Sequence, residues 1–274
     1  MNAICITCGT QFSDAPDLPR TCAICEDERQ YVGLNGQQWT TLAQLRTDHR
    51  IIIEEEEPRL SSFRIEPHFG IGQRAFLIQT DSGNLLWDCI SLPDDVALSR
   101  IRDLGGIQAI AISHPHYYTT MVEWSSAFED APIFLHADDA EWVMREGRSI
   151  QFWTGETKEL PGGLTAIRCG GHFAGATVLH WPSGGEAKGA LLTADTIQVA
   201  PDRRSVSFMW SYPNYIPLGS ADVRQIAAAM EPFRFDRLYG AFPKMTIPSG
   251  GKAVIARSVE RYLSRITRGQ APQT

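Results

Sequence analysis

The sequence predicts an α+β fold in which sheets pack against each other and helices cover them, preceded by a small metal-bound unit. Three observations predict it. Short apolar segments typical of buried strands dominate the early part of the chain, and segments with helical spacing appear between and after them. Four cysteines lie close together near the N-terminus. The 274 residues suffice for one large core and a small appendage.

The composition excludes several classes of protein. The net charge of -7 argues against a nucleic-acid-binding or anionic-membrane-binding surface, either of which needs a basic patch. No apolar run approaches the ~20 residues that span a bilayer. The first residues carry no basic region followed by an apolar stretch, so we expect no secretory signal. We therefore expect a cytoplasmic, reducing setting in which cysteines are thiols or metal ligands.

The N-terminal cysteines form two CxxC pairs, Cys5 with Cys8 and Cys22 with Cys25. Four thiolates at this spacing suit one tetrahedral ion, and they leave no open coordination position for catalysis. The segment between the pairs has little apolar content, so metal binding and folding should be coupled. A redox CxxC would need a surrounding βαβ pattern, which is absent. The pattern resembles a rubredoxin-like zinc ribbon, which we assign to residues 1–32.

Residues 33–60 are predicted to connect this unit to the main domain. A short helix is expected from Trp39 to Leu45, with Thr40 or Thr41 as its N-cap. The run from Glu54 to Glu57 is interpreted as a solvated boundary at the approach to the main domain.

In the main domain, strands and helices are predicted from apolar spacing and turn residues. Strands are expected at 63–65, 75–80, 84–90, 107–112, 132–135, 150–153, 164–168, 177–181, 190–193 and 235–239. Helices are expected at 94–104, 122–128, 138–145, 221–230 and 252–266.

Candidate metal ligands stand where apolar strands end. His114 and His116 follow the strand at 107–112, and alternate side chains of an extended segment point the same way, so both imidazoles can face one ion. His172 lies in a glycine-rich turn between two strands. Asp88 and Asp195 each end an apolar strand, where a side chain is fixed while the following loop opens to solvent.

The order Asp88, His114-Pro115-His116, Gly171-His172 and Ala194-Asp195 resembles the metallo-β-lactamase-fold superfamily over residues 61–268. The resemblance implies a four-layer αββα sandwich with a metal site at one edge of its two sheets. By position, the resemblance implies that His114, His116 and His172 hold the first metal. It implies that Asp195 is the bridging carboxylate. Asp88 is then the buried aspartate that orients the loops and ligands. Residues 269–274 are expected to be a disordered tail.

Two departures from the superfamily pattern remove the second metal site. Tyr118 and Thr119 stand where the superfamily has Asp and His. Gly240 to Lys244 stands where its final His is expected. A single metal, zinc or iron, is therefore predicted at the remaining site. The alternative is a metal-free relic of the fold.

Other residues near these motifs are candidate site residues. Tyr118 is a candidate catalytic residue that could polarise a carbonyl or position a water, or it could fill the space of the missing metal. Tyr117 and Lys244 are candidate substrate contacts, the lysine for an anionic group. The aromatic segment 207–215 could line a pocket or form a packed covering loop.

The leading hypothesis for function is a hydrolase in which a zinc-bound hydroxide attacks an ester, lactone, thioester or amide of a small-molecule substrate. Asp195 would bind the metal or take the proton. A second hypothesis is mononuclear iron chemistry on His114, His172 and Asp195, a two-His-one-carboxylate set that the superfamily's sulfur dioxygenases also use.

A third hypothesis is a non-catalytic scaffold or binding protein in which the zinc ribbon is an interaction module. The ribbon has few basic residues, Arg20 and Arg29, so nucleic acid is not the expected partner. The sequence gives no reason to expect a membrane partner, and a homo-oligomer is compatible with it.

Overall fold

The computed structural model of the protein describes residues 2–267. The predicted tail at 269–274 and the last residue of the predicted domain 61–268 lie outside the described residues. None of the helices found within 2–267 is long and apolar enough to cross a membrane.

The N-terminal unit contains two short strands and one short helix. Its elements are β1 (Ile4–Cys5), α1 (Ala23–Glu26) and β2 (Trp39–Thr40), and the helix α2 (Leu42–Asp48) follows. Ile4 pairs antiparallel with Thr40, so the unit closes on itself only at residue 40. We call residues 2–40 the ribbon. The predicted helix is present, and Thr41 is its N-cap, because Thr41 Oγ1 accepts from the backbone N–H of Gln44 at 3.2 Å.

The first large sheet has seven strands in sequential order. Its elements are β3 (Arg50–Glu57), β4 (Leu60–Glu66), β5 (Ala75–Ile78), β6 (Leu85–Trp87), α3 (Asp95–Asp103), β7 (Ala109–Ala111), α4 (Met121–Ser126), β8 (Ile133–His136) and β9 (Ile150–Trp153). Strands β3 to β6 are antiparallel and β6 to β9 are parallel. The sheet begins at Arg50, so the structure divides the predicted connecting segment 33–60 mainly between the ribbon, α2 and this sheet.

The second large sheet has six strands in the order β10-β11-β12-β13-β18-β19. The remaining elements are β10 (Thr157–Leu160), β11 (Leu164–Arg168), β12 (Thr177–Trp181), α5 (Gly184–Ala187), β13 (Ala190–Ala194), β14 (Gln198–Val199), β15 (Val206–Ser207), β16 (Met209–Ser211), β17 (Ile216–Pro217), α6 (Ser220–Met230), β18 (Arg237–Gly240), β19 (Thr246–Ile247) and α7 (Gly251–Ile266). Single-turn or short 3₁₀ helices occupy Pro115–Tyr117, Ala137–Trp142 and Pro161–Gly163. The helix predicted at 138–145 is therefore a 3₁₀ segment.

Three apolar layers hold the two sheets and their helices together. Between the sheets, Trp87 and Phe76 of the first sheet pack with Trp181 and Leu192 of the second. A second cluster fills the space between the first sheet and helices α3 and α4, and a third lies between the second sheet and helices α6 and α7. Burying these faces away from water is the main driving force for this arrangement. The predicted four-layer αββα sandwich is confirmed.

The glutamate run is part of the sheet, and its interpretation as a solvated boundary is wrong. Glu56 pairs with Arg74 at 2.6 Å, and Glu57 pairs with Arg237 of β18 at 2.5 Å. Glu57 is buried. A run of glutamates looks the same in the sequence whether it is solvated or lies in a strand and pairs with arginines. The arginines here are distant in sequence, so the pattern could not reveal the pairing.

Candidate metal centre

The loop that carries His114 and His116 starts at the carboxyl end of β7. Asp88 follows β6, the parallel neighbour of β7, and its Oδ1 accepts from the backbone N–H of Ser113 at 2.8 Å. This bond ties the first residues of the histidine loop to the sheet. Burial raises the pKa of the Asp88 carboxyl to about 8.

His172 lies in the turn between β11 and β12, which Gly170 and Gly171 allow by adopting φ values of +67° and +80°. Its Nδ1 lies 3.2 Å from the carbonyl oxygen of Met209 and 3.0 Å from that of Trp210. A ring nitrogen facing two carbonyl oxygens carries the proton. The other nitrogen, Nε2, is therefore left as a lone pair for a metal.

Four donor atoms from three distant parts of the chain converge. Nε2 of His172 lies 3.3 Å from Nδ1 of His116. Oδ2 of Asp195, which follows β13, lies 3.5 Å from Nε2 of His114 and 3.9 Å from Nδ1 of His116. A tetrahedral zinc ion with ligands at about 2.0–2.1 Å places its donors roughly 3.4 Å apart. The observed separations fit one such ion.

The chemical state of the donors also fits a metal ion. Burial lowers the pKa of His114 to about 4 and that of His172 well below the ordinary imidazole value. Burial opposes ionisation of Asp195, but the adjacent rings of His114 and His116 hold its pKa well below the usual carboxyl range. Neutral imidazoles and an ionised carboxylate are the forms that bind metals.

One of the converging donors, Nε2 of His114, is buried and makes no hydrogen bond to any residue within 2–267. Buried polar atoms of this kind are rare, and an ion bound at the centre explains this one. The second atoms of two other ligand side chains, Nε2 of His116 and Oδ1 of Asp195, are also buried without such a partner. The residues present therefore fit a metal ion.

The four ribbon cysteines form a second candidate metal site. Cys5 Sγ lies 3.5 Å from Cys25 Sγ, and Cys8 Sγ lies 3.6 Å from Cys22 Sγ. All four are buried, and none is in a disulfide. Zinc–sulfur bonds of about 2.3 Å put tetrahedral sulfurs roughly 3.8 Å apart, so the cluster fits a structural ion without an open position.

A cavity of about 290 Å³ opens onto the histidine and aspartate centre, and His116, His172 and Asp195 line it. The ribbon forms one wall of the cavity through four residues, which are Thr7, Arg29, Gln30 and Tyr31. The loop between β4 and β5 contributes His68, Gly70 and Ile71. The rest of the wall consists of Gln198, Tyr212, Pro213 and Phe242.

Several candidate site residues do not reach this cavity. Tyr117 is fully buried, with its ring centre 5.2 Å from that of His114. The hydroxyl of Tyr118 lies 3.5 Å from the backbone oxygen of Asp139. Both tyrosines pack beneath the histidine loop. Lys244, in the turn between β18 and β19, is not among the cavity residues. The catalytic and substrate-binding roles predicted for these three residues stay predictions.

Sequence reasoning missed the cavity residues of the ribbon and His68. No signal in the sequence marks them, because their proximity to the centre depends on how the ribbon docks. Tyr212 and Pro213 lie in the aromatic segment 207–215, for which the sequence offers a pocket lining as one of two interpretations. Phe242 lies in the stretch 240–244, where the superfamily's final His is expected, and it puts a phenyl ring on the cavity wall.

No family model matches the sequence. The uncharacterized protein YmaE of Bacillus subtilis (strain 168) is 51% identical over 265 residues, which cover 96% of each chain. Among solved structures, the DIM-1 metallo-β-lactamase exposed to ceftazidime superposes with a TM-score of 0.59 at 12% identity, covering 80% of this chain and 98% of that one.

The VMB-1 structure at pH 5.5 gives a TM-score of 0.59 at 10% identity, over 80% of this chain and 99% of that one. A metallo-β-lactamase from Cronobacter sakazakii gives 0.53 at 16% identity, over 82% and 96% of the two chains. These likenesses and the four convergent donors agree with the fold described above. The chain belongs to the family of YmaE and has the fold of the metallo-β-lactamases.

Proposed function

We propose that this protein is a metal-dependent hydrolase that uses one zinc ion, held by His114, His116, His172 and Asp195, on a carbonyl substrate. One observation carries the proposal. Four buried donors from three separate loops converge at the separations of a single ion, and a cavity opens onto them. The ribbon cysteines would hold a second, structural zinc.

Zinc held by these four residues would supply a Lewis acid, and it would lower the pKa of a water to about 7 if that water bound from the cavity as a fifth ligand. The protein contributes the placement of the groups around it. His172 is fixed by two carbonyl oxygens, and Asp88 fixes the start of the histidine loop. Asp195 is ionised, the form in which a carboxylate binds a metal, and one of its oxygens makes no hydrogen bond to the described residues.

The charge of the cavity favours a neutral substrate. Among the cavity residues that the structure describes, Arg29 is the only lysine or arginine. Its Nε and Nη2 atoms already pair with Asp27 at 2.6 and 2.9 Å. Apart from the bound metal ion, an anionic substrate group would find no unpaired cation among the described side chains there. We therefore infer a neutral ester, lactone, thioester or amide.

The alternatives from the sequence have less support. Iron chemistry on His114, His172 and Asp195 would leave His116 out, whereas its Nδ1 lies within ligand spacing of both His172 and Asp195. A non-catalytic scaffold would need no cavity over the buried donors.

The test is an assay of the zinc-loaded protein against neutral esters, lactones, thioesters and amides, with one aryl ester in neutral and carboxylate-bearing forms. We expect hydrolysis, with kcat/KM about tenfold or more higher for the neutral form, which equals about 1.4 kcal/mol. Asp195→Asn should lower kcat/KM by about 100-fold or more.

The matched control is Asp103→Asn, which changes an exposed carboxylate at the end of α3. It should leave the rate unchanged. Hydrolysis of none of the four substrate classes by zinc-loaded protein, or equal rates for the wild type and Asp195→Asn, would overturn the proposal.

A further inference from the structure

Arg29 links the ribbon to the loop that carries His172. The side chain is buried, and its Nη1 donates to the backbone oxygen of His172 at 3.3 Å. Asp27 accepts from its other two nitrogens. All three nitrogens of the guanidinium are thus engaged, two with the ribbon and one with a metal-ligand residue.

The flat faces of the same guanidinium contact the aromatic residues around His172. Its central carbon lies 3.9 Å from the ring centre of Phe173 and 4.4 Å from that of Trp210. Phe173 is the next residue after His172, and the Trp210 carbonyl accepts from His172 Nδ1. Arg29 therefore contacts both the backbone of the ligand residue and the residue that fixes its tautomer. Stacking and forked hydrogen bonding together suit arginine and not lysine.

The position of Arg29 depends in turn on the cysteine cluster. Cys25 lies in α1, and Arg29 follows it by four residues. The intervening segment is held from the far side by Asn214, whose Nδ2 donates to the carbonyl oxygens of Glu28 at 2.8 Å and Gln30 at 2.9 Å. A metal ion on the cysteines would fix one end of this short segment, and Asn214 fixes the other.

We propose that Arg29 is a positioning residue for the His172 ligand, and that it couples the ribbon's cysteine site to the histidine and aspartate site. On this view the ribbon is a wall of the active site, and an ion on the cysteines tightens the second site by holding Arg29 against His172. The proposal rests on metal binding in the proposed function and does not depend on hydrolysis.

The experiment compares wild-type protein and Arg29→Lys, each full length and zinc-loaded, in a chelator titration with the zinc content measured at each step. Lysine keeps the charge but cannot bond Asp27 and His172 together. We expect the zinc of the histidine site to be lost at about tenfold or more lower chelator concentration in Arg29→Lys. The ribbon zinc should leave at the wild-type concentration.

A second readout separates positioning from general loosening of the fold. In the zinc-loaded wild type, the His172 Nδ1–H should give a sharp, protected proton resonance, since Nδ1 faces two carbonyl oxygens. In Arg29→Lys this resonance should broaden or exchange faster. The matched control is Arg20→Lys, an exposed ribbon arginine, which should match wild type in both readouts.

If Arg29→Lys also loses its ribbon zinc, Asp27→Asn decides. Asp27→Asn weakens the hydrogen bonds to Arg29 but keeps one oxygen acceptor. We expect the histidine-site zinc to be lost at lower chelator concentration while the ribbon zinc is retained. The proposal is overturned if the deciding variant, Arg29→Lys or Asp27→Asn, keeps its ribbon zinc and releases the histidine-site zinc at the same chelator concentration as wild type. It is also overturned if wild-type protein holds no second ion. Protein that shows the coupling but hydrolyses nothing would instead contradict the proposed function alone.

Discussion

Asp88 supports the metal centre without reaching it. It is buried at the end of β6, has a φ of +65° and accepts the backbone N–H of Ser113, the residue before His114. Asparagine and aspartate tolerate this left-handed conformation better than alanine, because their short polar side chains bond locally. The role of Asp88 is therefore to hold the histidine loop at one place on the sheet.

Asp88→Ala tests this role. Loss of the acceptor leaves the Ser113 N–H buried without its partner, and alanine is strained at this φ. We expect a loss of about 2–3 kcal/mol in the free energy of unfolding, measured by urea denaturation. Zinc affinity at the histidine site should fall by about 10-fold or more.

Asp88→Asn serves as the matched comparison, since it keeps an oxygen acceptor and tolerates the φ. Its stability should lie closer to wild type than that of the alanine variant. Equal zinc affinity in wild type and Asp88→Ala would contradict the positioning role.

At the scale of residues, the sequence was sufficient where chemistry is local. His114, His116, His172 and Asp195 were predicted from strand ends, the HxH spacing and the order of the motifs, and the structure brings all four together. Arg29 could not be found in this way, because it meets His172 across 143 positions of sequence. Its role follows from how two units dock, which no local pattern encodes.

At the scale of elements, β3 shows how an edge strand is tied to the opposite sheet. Glu57 ends β3 in the first sheet, and its Oε2 pairs with Arg237 of β18 in the second. Its other oxygen accepts from the backbone N–H of Gly185 in α5 at 3.0 Å. One carboxylate therefore bridges both sheets. The sequence does not predict β3, because a run of glutamates is typical of a solvated segment. The helix after Thr41 is predicted, because its capping residue acts locally.

Removing this carboxylate should cost stability. In Glu57→Ala, Arg237 keeps a partly buried charge, and the exposed Glu186 is its one remaining carboxylate partner among the described residues, so we expect a loss of about 2–4 kcal/mol in the free energy of unfolding. The measurement is the urea midpoint of unfolding with both metal sites loaded.

Glu55→Ala, two residues earlier on the same strand, is the control because Glu55 is exposed. Its free energy of unfolding should stay within about 0.5 kcal/mol of wild type. Equal losses in the two variants would show that the strand itself, and not the bridge, sets the stability.

At the scale of the whole molecule, the ribbon is built into the sandwich. The Gly9 carbonyl accepts from the Ser91 hydroxyl at 2.9 Å, and the Gln11 N–H donates to the Thr119 carbonyl at 3.1 Å, within the histidine loop. Ile4 of the ribbon shares a buried cluster with Leu92. Composition and cysteine spacing indicate a small ribbon before the main domain, but they could not show that the ribbon forms a wall of the cavity. These contacts weaken the hypothesis that the ribbon is an independent interaction module.

The central claim is that one chain holds two separate metal ions, one on the cysteines and one on the histidines and Asp195. Elemental analysis of protein purified without added metal, combined with anomalous diffraction at the zinc and iron edges, tests it most directly. We expect two zinc ions per chain, falling to one in His116→Ala with the ribbon ion retained. One ion per chain in the wild type, lost when Cys5 and Cys8 are both replaced, would contradict the claim. Iron at the histidine site would contradict the assignment of zinc there.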